Sequence, residues 1–234
     1  MATYSNSPLV NYTRLSPNHS GQRNHSIDTI SIHCMAGNLT VEVCGSVFAP
    51  TSRGASSNYG IGSDGRVGLY VEEKNRSWCT SSSSNDHRAI TIEVANCTAG
   101  PDWKITDKAM ESLINLIVDI CKRNQIKQLL WCGDKSLIGQ VQKQNLTVHR
   151  WFAAKACPGD YLYKKHNYIC EEVNKRLVPE VVKLTSANDI TWELNHSHFP
   201  ITDTKKFVTE LEQARLDNSS LYWGYYKIAN RIKK

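Results

Sequence analysis

The sequence contains no apolar run long enough to cross a membrane. A transmembrane helix needs about 20 consecutive apolar residues, and no segment of this 234-residue chain approaches that length. The first 26 residues also lack the apolar stretch of a secretory signal. We therefore expect a protein that has no membrane span and that is made and folded in a cytosol.

Cys-x-x-Cys pairs are absent from the sequence, although it has eight cysteines. A chain of this length can bury a core that needs no disulfide bonds, and cytosolic thiols usually stay reduced. We therefore expect free thiols. The pattern favours small buried hydrophobic roles for Cys34, Cys44 and Cys132.

Phosphate-binding loops, dinucleotide-binding motifs and internal repeats are also absent. The formal net charge is +6 and the pI is about 8.8. Such a mild basic excess suits an anionic partner, for which nucleic acid, a membrane surface and a bacterial wall are candidates. No nucleic-acid-binding motif accompanies the charge, so we expect no nucleic acid partner.

Residue patterns that are present predict a domain with both strands and helices. Alternating apolar residues and an Asp-Gly turn predict strands at 29–33, 58–62, 66–71, 89–95, 128–132 and 146–152. Residues 77–86 are polar and are expected to form a loop. Apolar residues spaced by three and four predict a helix at 106–123, capped by Thr106, and another that starts near Asp160.

The chain changes character around residues 179–186, and we place a domain boundary near residue 180. Residues 181–234 are expected to form a small all-helical domain, with caps at Ser186, at Thr202, and at Ser219 or Ser220. The aromatic residues of this segment could stack on sugar rings or form its core, and the pattern favours neither; they are Trp192, Tyr222, Trp223, Tyr225 and Tyr226.

Two histidines and one cysteine are candidate metal ligands. His33 ends a predicted strand, His149 lies in another, and Cys157 follows in a loop. Two strands and one loop can bring two imidazoles and a thiolate together, and a catalytic zinc ion takes three protein ligands and one open position. Spacing alone is weak evidence, because a strand histidine is usually a satisfied core or surface group.

Several motifs occur in the order found in one known family. They are Ser31-Ile-His33, the turn at Asp64-Gly65, Ile90-Thr-Ile-Glu93, and His149 followed by Cys157-Pro-Gly. Together they resemble the type 2 N-acetylmuramoyl-L-alanine amidases, whose fold is shared by peptidoglycan recognition proteins and phage lysozyme-type amidases. The resemblance covers residues 14–177 and is strongest to clostridial phage-type endolysins. It implies an α/β fold in which helices flank a mixed central β-sheet, with residues 1–180 as the catalytic domain.

The resemblance implies a role for each of five residues. His33, His149 and Cys157 match the zinc ligands of the family. Lys155 matches a lysine that lies two residues before the third ligand. Glu93 matches the catalytic glutamate of one branch of the family.

Two positions depart from the family pattern. One branch uses a catalytic tyrosine, but the aligned residue here is Ser57, and Tyr59 is two residues out of phase. Some relatives carry a histidine after the residue that matches Trp78, where this chain has Cys79. Glu93 is therefore expected to be the catalytic carboxylate, with Tyr59 as the next candidate.

The reaction that the resemblance implies is hydrolysis of the lactyl amide between muramic acid and the L-alanine of the stem peptide. Zinc lowers the pKa of bound water from about 16 toward 7. Glu93 would take the proton of that water and pass it to the leaving amine. Lys155 and the metal would stabilise the oxyanion. Arg53 and Asn58 are expected near the cleft, where they could contact substrate.

The implied biological role is that of a phage endolysin. Such an enzyme would accumulate in the host cytoplasm and act on the cell wall after release at lysis. Its partners would be bacterial peptidoglycan and, through residues 181–234, other wall polymers. The alternatives are a bacterial autolysin with the same chemistry and a non-catalytic peptidoglycan-binding protein. Relatives that only bind have lost the third ligand, so the presence of Cys157 favours catalysis.

Overall fold

The structure is a computed structural model that describes residues 4–177, 186–196, 201–217 and 219–232. The chain divides into two compact units, Met1–Leu177 and Val178–Lys234. The strands of the first unit are β1 (Tyr12–Thr13), β2 (His19–Gln22), β3 (Thr29–Cys34), β4 (Tyr59–Ile61), β5 (Val67–Leu69), β6 (Asn75–Ser77), β7 (Ala89–Val94) and β8 (Leu146–Thr147). The α-helices are α1 (Val41–Phe48), α2 (Ser83–Arg88), α3 (Asp107–Arg123), α4 (Asp160–Leu177), α5 (Ala187–His196), α6 (Thr204–Leu216) and α7 (Ser220–Ile232).

A mixed sheet with strand order β1-β5-β4-β7-β3-β8 forms the centre of the first unit. Strand β3 runs parallel to both of its neighbours, β7 and β8, and β4 is also parallel to β7. The predicted hairpin is confirmed, since β4 and β5 pair antiparallel across a turn in which Gly65 has φ of +86°. The predicted α/β class with a mixed sheet is therefore confirmed as well.

Burial explains why β3 and β7 are interior strands of this sheet and not edge strands. Every residue of β3 is buried, and the apolar side chains of both strands join one core with the inner face of α3. Strands covered on both faces are typical of parallel sheets packed between helices. As predicted, Thr106 caps α3, and its hydroxyl accepts a hydrogen bond from the backbone N–H of Ala109.

The strand predicted at residues 128–132 is wrong. Here the backbone N–H groups of Leu129, Leu130 and Cys132 donate to side-chain oxygens instead of to a neighbouring strand. The acceptors belong to Asn174, Asn145 and Gln144. Side-chain amide oxygens therefore take the place of the backbone carbonyl acceptors that a neighbouring strand would provide. The Cys132 thiol is exposed, which corrects its predicted burial.

The loop predicted at residues 77–86 contains a short helix, α2. The Ser82 hydroxyl caps it by accepting from the backbone N–H of Asn85. The buried Asp86 carboxylate accepts hydrogen bonds from the backbone N–H groups of Cys79 and Thr80. Polar side chains that bond to their own backbone fold this segment tightly, which composition alone did not reveal.

Helices α5, α6 and α7 form the second unit around a small apolar core. Ser186 caps α5 as predicted, but α6 is capped by Asp203 and not by Thr202. The carboxylate of Asp203 accepts from the backbone N–H of Lys206. Tyr222 belongs to the core, whereas Trp192 and Trp223 are exposed. Within the described ranges, none of the helices combines the length and apolar character that a membrane crossing requires.

Candidate active site

The carboxyl ends of three neighbouring parallel strands, β7, β3 and β8, lie at the same end of the sheet. The candidate residues lie at or just after these strand ends. His33 of β3 lies beside Glu93 of β7 in the strand register, and Ser31 lies beside Thr147 of β8. His149 follows β8 after one intervening residue. Open α/β sheets bind ligands outside the carboxyl ends of their strands, because side chains from several strands converge there.

His33, His149 and Cys157 come together at this edge. Their ligand atoms all lie within 4.8 Å of one another. The Cys157 sulfur is 3.4 Å from His33 Nδ1, and the two imidazole centroids are 5.2 Å apart. Residues separated by as many as 124 positions in the chain thus form a compact set of two nitrogens and one sulfur.

Ser31 fixes the orientation of the His33 ring. The Ser31 hydroxyl donates to the carbonyl oxygen of Thr147 and lies 3.0 Å from His33 Nε2. With its only hydrogen used by Thr147, the hydroxyl has lone pairs that can accept from an Nε2–H of His33. In that tautomer the Nδ1 lone pair faces Cys157, which is the arrangement expected of a metal-binding histidine.

His149 lies in a 3₁₀ turn, His149–Trp151, and not in a strand as predicted. Strand β8 ends at Thr147, and the backbone N–H of Phe152 bonds back to the His149 carbonyl. The backbone N–H of Arg150 donates to the Cys157 carbonyl at 3.2 Å. This contact closes the loop, so it brings the sulfur of Cys157 toward the imidazole of His149.

Glu93 lies next to the three-residue set and has an unused acceptor. Its Oε1 is 3.8 Å from the Cys79 thiol. Its Oε2 is buried and has no hydrogen-bond partner in the described part of the chain. A buried carboxylate oxygen without a partner is costly, so this atom is suited to a polar group that enters the site.

Burial shifts the protonation of these groups. It lowers the pKa of His33 to about 3, with a further contribution from His149. Burial, together with the charge of Lys155, also lowers the pKa of His149. Burial raises the pKa of the Glu93 carboxyl, and the nearby Cys34 thiol adds to this effect. Both imidazoles are therefore neutral at pH 7 and can coordinate a cation.

Lys155 lies on the exposed loop that leads to Cys157. Its ammonium is close enough to His149 to disfavour protonation of that imidazole. The side chain therefore contributes positive charge beside the candidate metal site without occupying a ligand position.

A groove of about 240 Å³ opens beside Glu93 and His149. Arg53 lines it, which agrees with the predicted position of this residue near the cleft. Apolar side chains form much of the remaining wall, and they are Met35, Leu39, Val47, Phe48 and Trp78. The groove thus combines an apolar surface with the guanidinium of Arg53 and the carboxyl group of Glu93.

Asn58 is buried and does not line this groove, which corrects its predicted substrate contact. Its side-chain oxygen accepts from the Arg23 guanidinium at 3.0 Å and from the backbone N–H of Thr91 at 3.2 Å. These bonds tie β4 to its surroundings, so Asn58 has a structural role.

Tyr59, the second candidate for the catalytic group, points away from the site. It pairs with Ile92 in the register, so its side chain lies on the face opposite to that of Glu93. Its hydroxyl donates to Glu73, which also forms an ion pair with Arg123 at 2.6 Å. Ser57, at the aligned position, is buried and donates to the Tyr59 carbonyl. Neither residue reaches the groove.

Three contacts of the site were not predicted from the sequence. These are the contact between Ser31 Oγ and His33 Nε2, the contact between Ser81 Oγ and His149 Nε2 at 3.1 Å, and the contact between Cys79 and Glu93. The first had a readable signal, because residues two apart on a strand share a face. The other two depend on how the 77–86 segment folds and had no local signal.

The donor chemistry of the site fits zinc. Zinc accepts imidazole nitrogen and thiolate sulfur, and a catalytic zinc site has three protein ligands and one open position. Here the three ligand atoms lie together, and Glu93, whose buried Oε2 has no hydrogen-bond partner within the described ranges, has a carboxylate oxygen within 4.8 Å of a His33 nitrogen. A water molecule at the open position would satisfy that oxygen.

Comparisons with known proteins point to one family. The family model described as N-acetylmuramoyl-L-alanine amidase matches residues 23–160, a range that includes His33, Glu93, His149, Lys155 and Cys157. A mutant endolysin from Bacillus subtilis has a TM-score of 0.51 and 16% identity, and the match covers 70% of this chain and 99% of that one. No curated protein matches the chain.

Two further solved structures are similar at lower TM-scores. The N-acetylmuramoyl-L-alanine amidase LysC from Clostridium intestinale URNW has a TM-score of 0.45 and 20% identity, and the match covers 68% of this chain and 93% of that one. The Drosophila peptidoglycan recognition protein SD has a TM-score of 0.47 and 19% identity, with 65% and 89% covered.

Proposed function

Because this chain belongs to the N-acetylmuramoyl-L-alanine amidase family and has that activity, we propose that it cleaves peptidoglycan with the help of zinc. The bond is the amide between N-acetylmuramic acid and L-alanine. His33, His149 and Cys157 would hold the ion. The observation that carries the proposal is the convergence of their ligand atoms within 4.8 Å, close to a buried carboxylate oxygen of Glu93 that has no hydrogen-bond partner among the described residues.

Zinc bound there would supply Lewis acidity, which lowers the pKa of water and polarises the scissile carbonyl. The residues of the chain perform the proton transfers. Glu93 Oε2 accepts a proton from the attacking water and passes it to the leaving amine of L-alanine. Lys155 stabilises the negative charge that develops on the carbonyl oxygen. Ser31 keeps His33 in the tautomer that leaves Nδ1 free.

The groove beside Glu93 supports a substrate that is part sugar and part peptide. Its apolar wall would pack against the lactyl and alanine methyl groups. The guanidinium of Arg53 would pair with a carboxylate of the stem peptide, since Arg binds carboxylates well.

We further propose that the protein acts as a lytic enzyme of the phage endolysin type. One solved structure with the same fold is an endolysin. A bacterial autolysin would have the same chemistry in a different setting. A phage endolysin and a bacterial autolysin differ in the context of their genes and in the time of their expression relative to lysis.

Chelation tests the metal-dependent reaction. Removing zinc from the purified protein should abolish the release of new amino termini from cell-wall preparations, because the nucleophile is no longer activated. Adding zinc in equimolar amount should restore it. Activity that persists after complete metal removal, verified by metal analysis of the same sample, would exclude this mechanism.

The second unit is proposed to bind wall polymers. It contains a cavity of about 540 Å³. Phe207 and Tyr225, whose rings meet edge to face at 5.0 Å, line this cavity together with Asp203, Lys206 and Glu210. Aromatic rings beside charged groups of both signs are suited to a ligand with sugar rings, carboxylates and amines. Peptidoglycan has this composition.

Removing the second unit separates the two proposed roles. A fragment of residues 1–177 should hydrolyse a soluble muropeptide as fast as the full chain, because all five proposed site residues lie within it. It should bind insoluble sacculi more weakly. Co-sedimentation with sacculi and assays on the soluble substrate measure the two effects. Equal sedimentation of fragment and full chain would contradict the binding role.

A further inference from the structure

A second set of metal-ligating side chains adjoins the first. Ligand atoms of His33, Cys79 and Glu93 also lie within 4.8 Å of one another. The Cys79 sulfur is 3.8 Å from Glu93 Oε1, and Glu93 Oε2 is the buried oxygen without a partner in the described ranges. A thiol and a carboxylate are therefore in position to share one cation.

The two sets cannot both use His33. Its Nδ1 lies 3.4 Å from Cys157, and its Nε2 bonds to Ser31, so a cation in the first set takes the only free lone pair of the ring. A second cation would then have Cys79 and Glu93 as its protein ligands. Two ligands bind a cation more weakly than three, so the first set fills first.

We propose that Cys79 and Glu93 form a second, inhibitory site for zinc or another thiophilic divalent cation. The proposal rests on the function proposed above. Thiolate and carboxylate are both zinc ligands. As the cation binds, the Cys79 thiol releases its proton to solvent and the sulfur donates an electron pair to the metal. Glu93 donates an oxygen lone pair to the same cation.

Occupation of the second site removes the base from the reaction. The Glu93 oxygen that should accept a proton from water is then bound to a cation. The first site keeps its three ligands. The groove also favours thiophilic cations, because the thiols of Cys34 and Cys44 line it near Glu93. Activity should therefore rise with the first equivalent of zinc and fall with the second.

The test is a zinc titration of full-length protein, followed by equilibrium dialysis, metal analysis and activity assays on the same samples. The variants are Cys79→Ala and Cys79→Ser. The matched control is Cys97→Ala, which removes an exposed thiol that does not line the groove. The readouts are the number of bound equivalents and the ratio of activity in excess zinc to activity at one equivalent.

Wild-type protein and Cys97→Ala should bind two equivalents. Filling the second should lower activity about 100-fold or more, the usual contribution of a general base. Both Cys79 variants should bind one equivalent and keep their activity ratio near one. Any of three results would overturn the proposal. The wild-type protein binds only one equivalent of zinc, both Cys79 variants bind a second equivalent, or both Cys79 variants lose the first equivalent. Inactive wild type with one equivalent bound would instead contradict the proposed function.

Discussion

Cys157→Ala should lower amidase turnover by at least ~10³-fold. The substitution leaves two imidazoles, His33 and His149, without the third ligand, and the site loses affinity for the ion. Lewis-acid stabilisation by a catalytic metal is worth several kcal/mol, and each ~1.4 kcal/mol is a factor of ten in rate. Metal analysis of the variant should show substoichiometric zinc.

Cys170→Ala is the matched control for this loss. Cys170 is a buried free cysteine of α4 that belongs to the core and not to the ligand set. Its removal should cost some stability but leave zinc content and turnover at wild-type levels. A Cys157→Ala protein that holds stoichiometric zinc and keeps wild-type turnover would show that the thiolate is not a ligand.

Glu93→Gln should have a different signature, in which zinc is retained and kcat falls by about 10²–10⁴-fold, the contribution of a general base. The amide keeps the shape of the side chain but cannot accept the proton at the former Oε2 position. Steady-state kinetics on a muropeptide and zinc analysis of the same sample provide the measurement.

Glu171→Gln, in the exposed part of α4, is the control for a general effect of losing one carboxylate. It should change neither zinc content nor kcat. Near-normal turnover in Glu93→Gln would move the proton transfer to another group. Tyr59 could not take that role without a rearrangement, because it is buried and donates to Glu73.

The sequence could predict the strands that carry His33 and Glu93, since both are short β-branched runs that become fully or largely buried. Parallel pairing then brings their ends together. The local pattern also predicted α3 with its cap at Thr106. These features depend on periodicity and capping, which are local properties of a chain.

The remaining features depend on contacts between separate segments of the chain, which do not follow from local periodicity. The 3₁₀ turn at His149 is closed by the bond from Arg150 to Cys157, and Trp151 stacks on Trp131 at 4.9 Å. Residues 128–132 fail to form a strand because side chains from distant segments take their N–H groups. Residue type and periodicity do not mark the partners of these contacts, even where the two lie as close in the chain as Arg150 and Cys157.

The identity of the cleaved bond is the most direct test of this account. Purified peptidoglycan should be digested with the zinc-loaded protein, and the soluble products should be analysed by mass spectrometry. We expect free stem peptides that begin with L-alanine, together with glycan chains that have lost them, and neither product after chelation. Products in which muramic acid is still joined to L-alanine, or unchanged release in the presence of chelator, would contradict it.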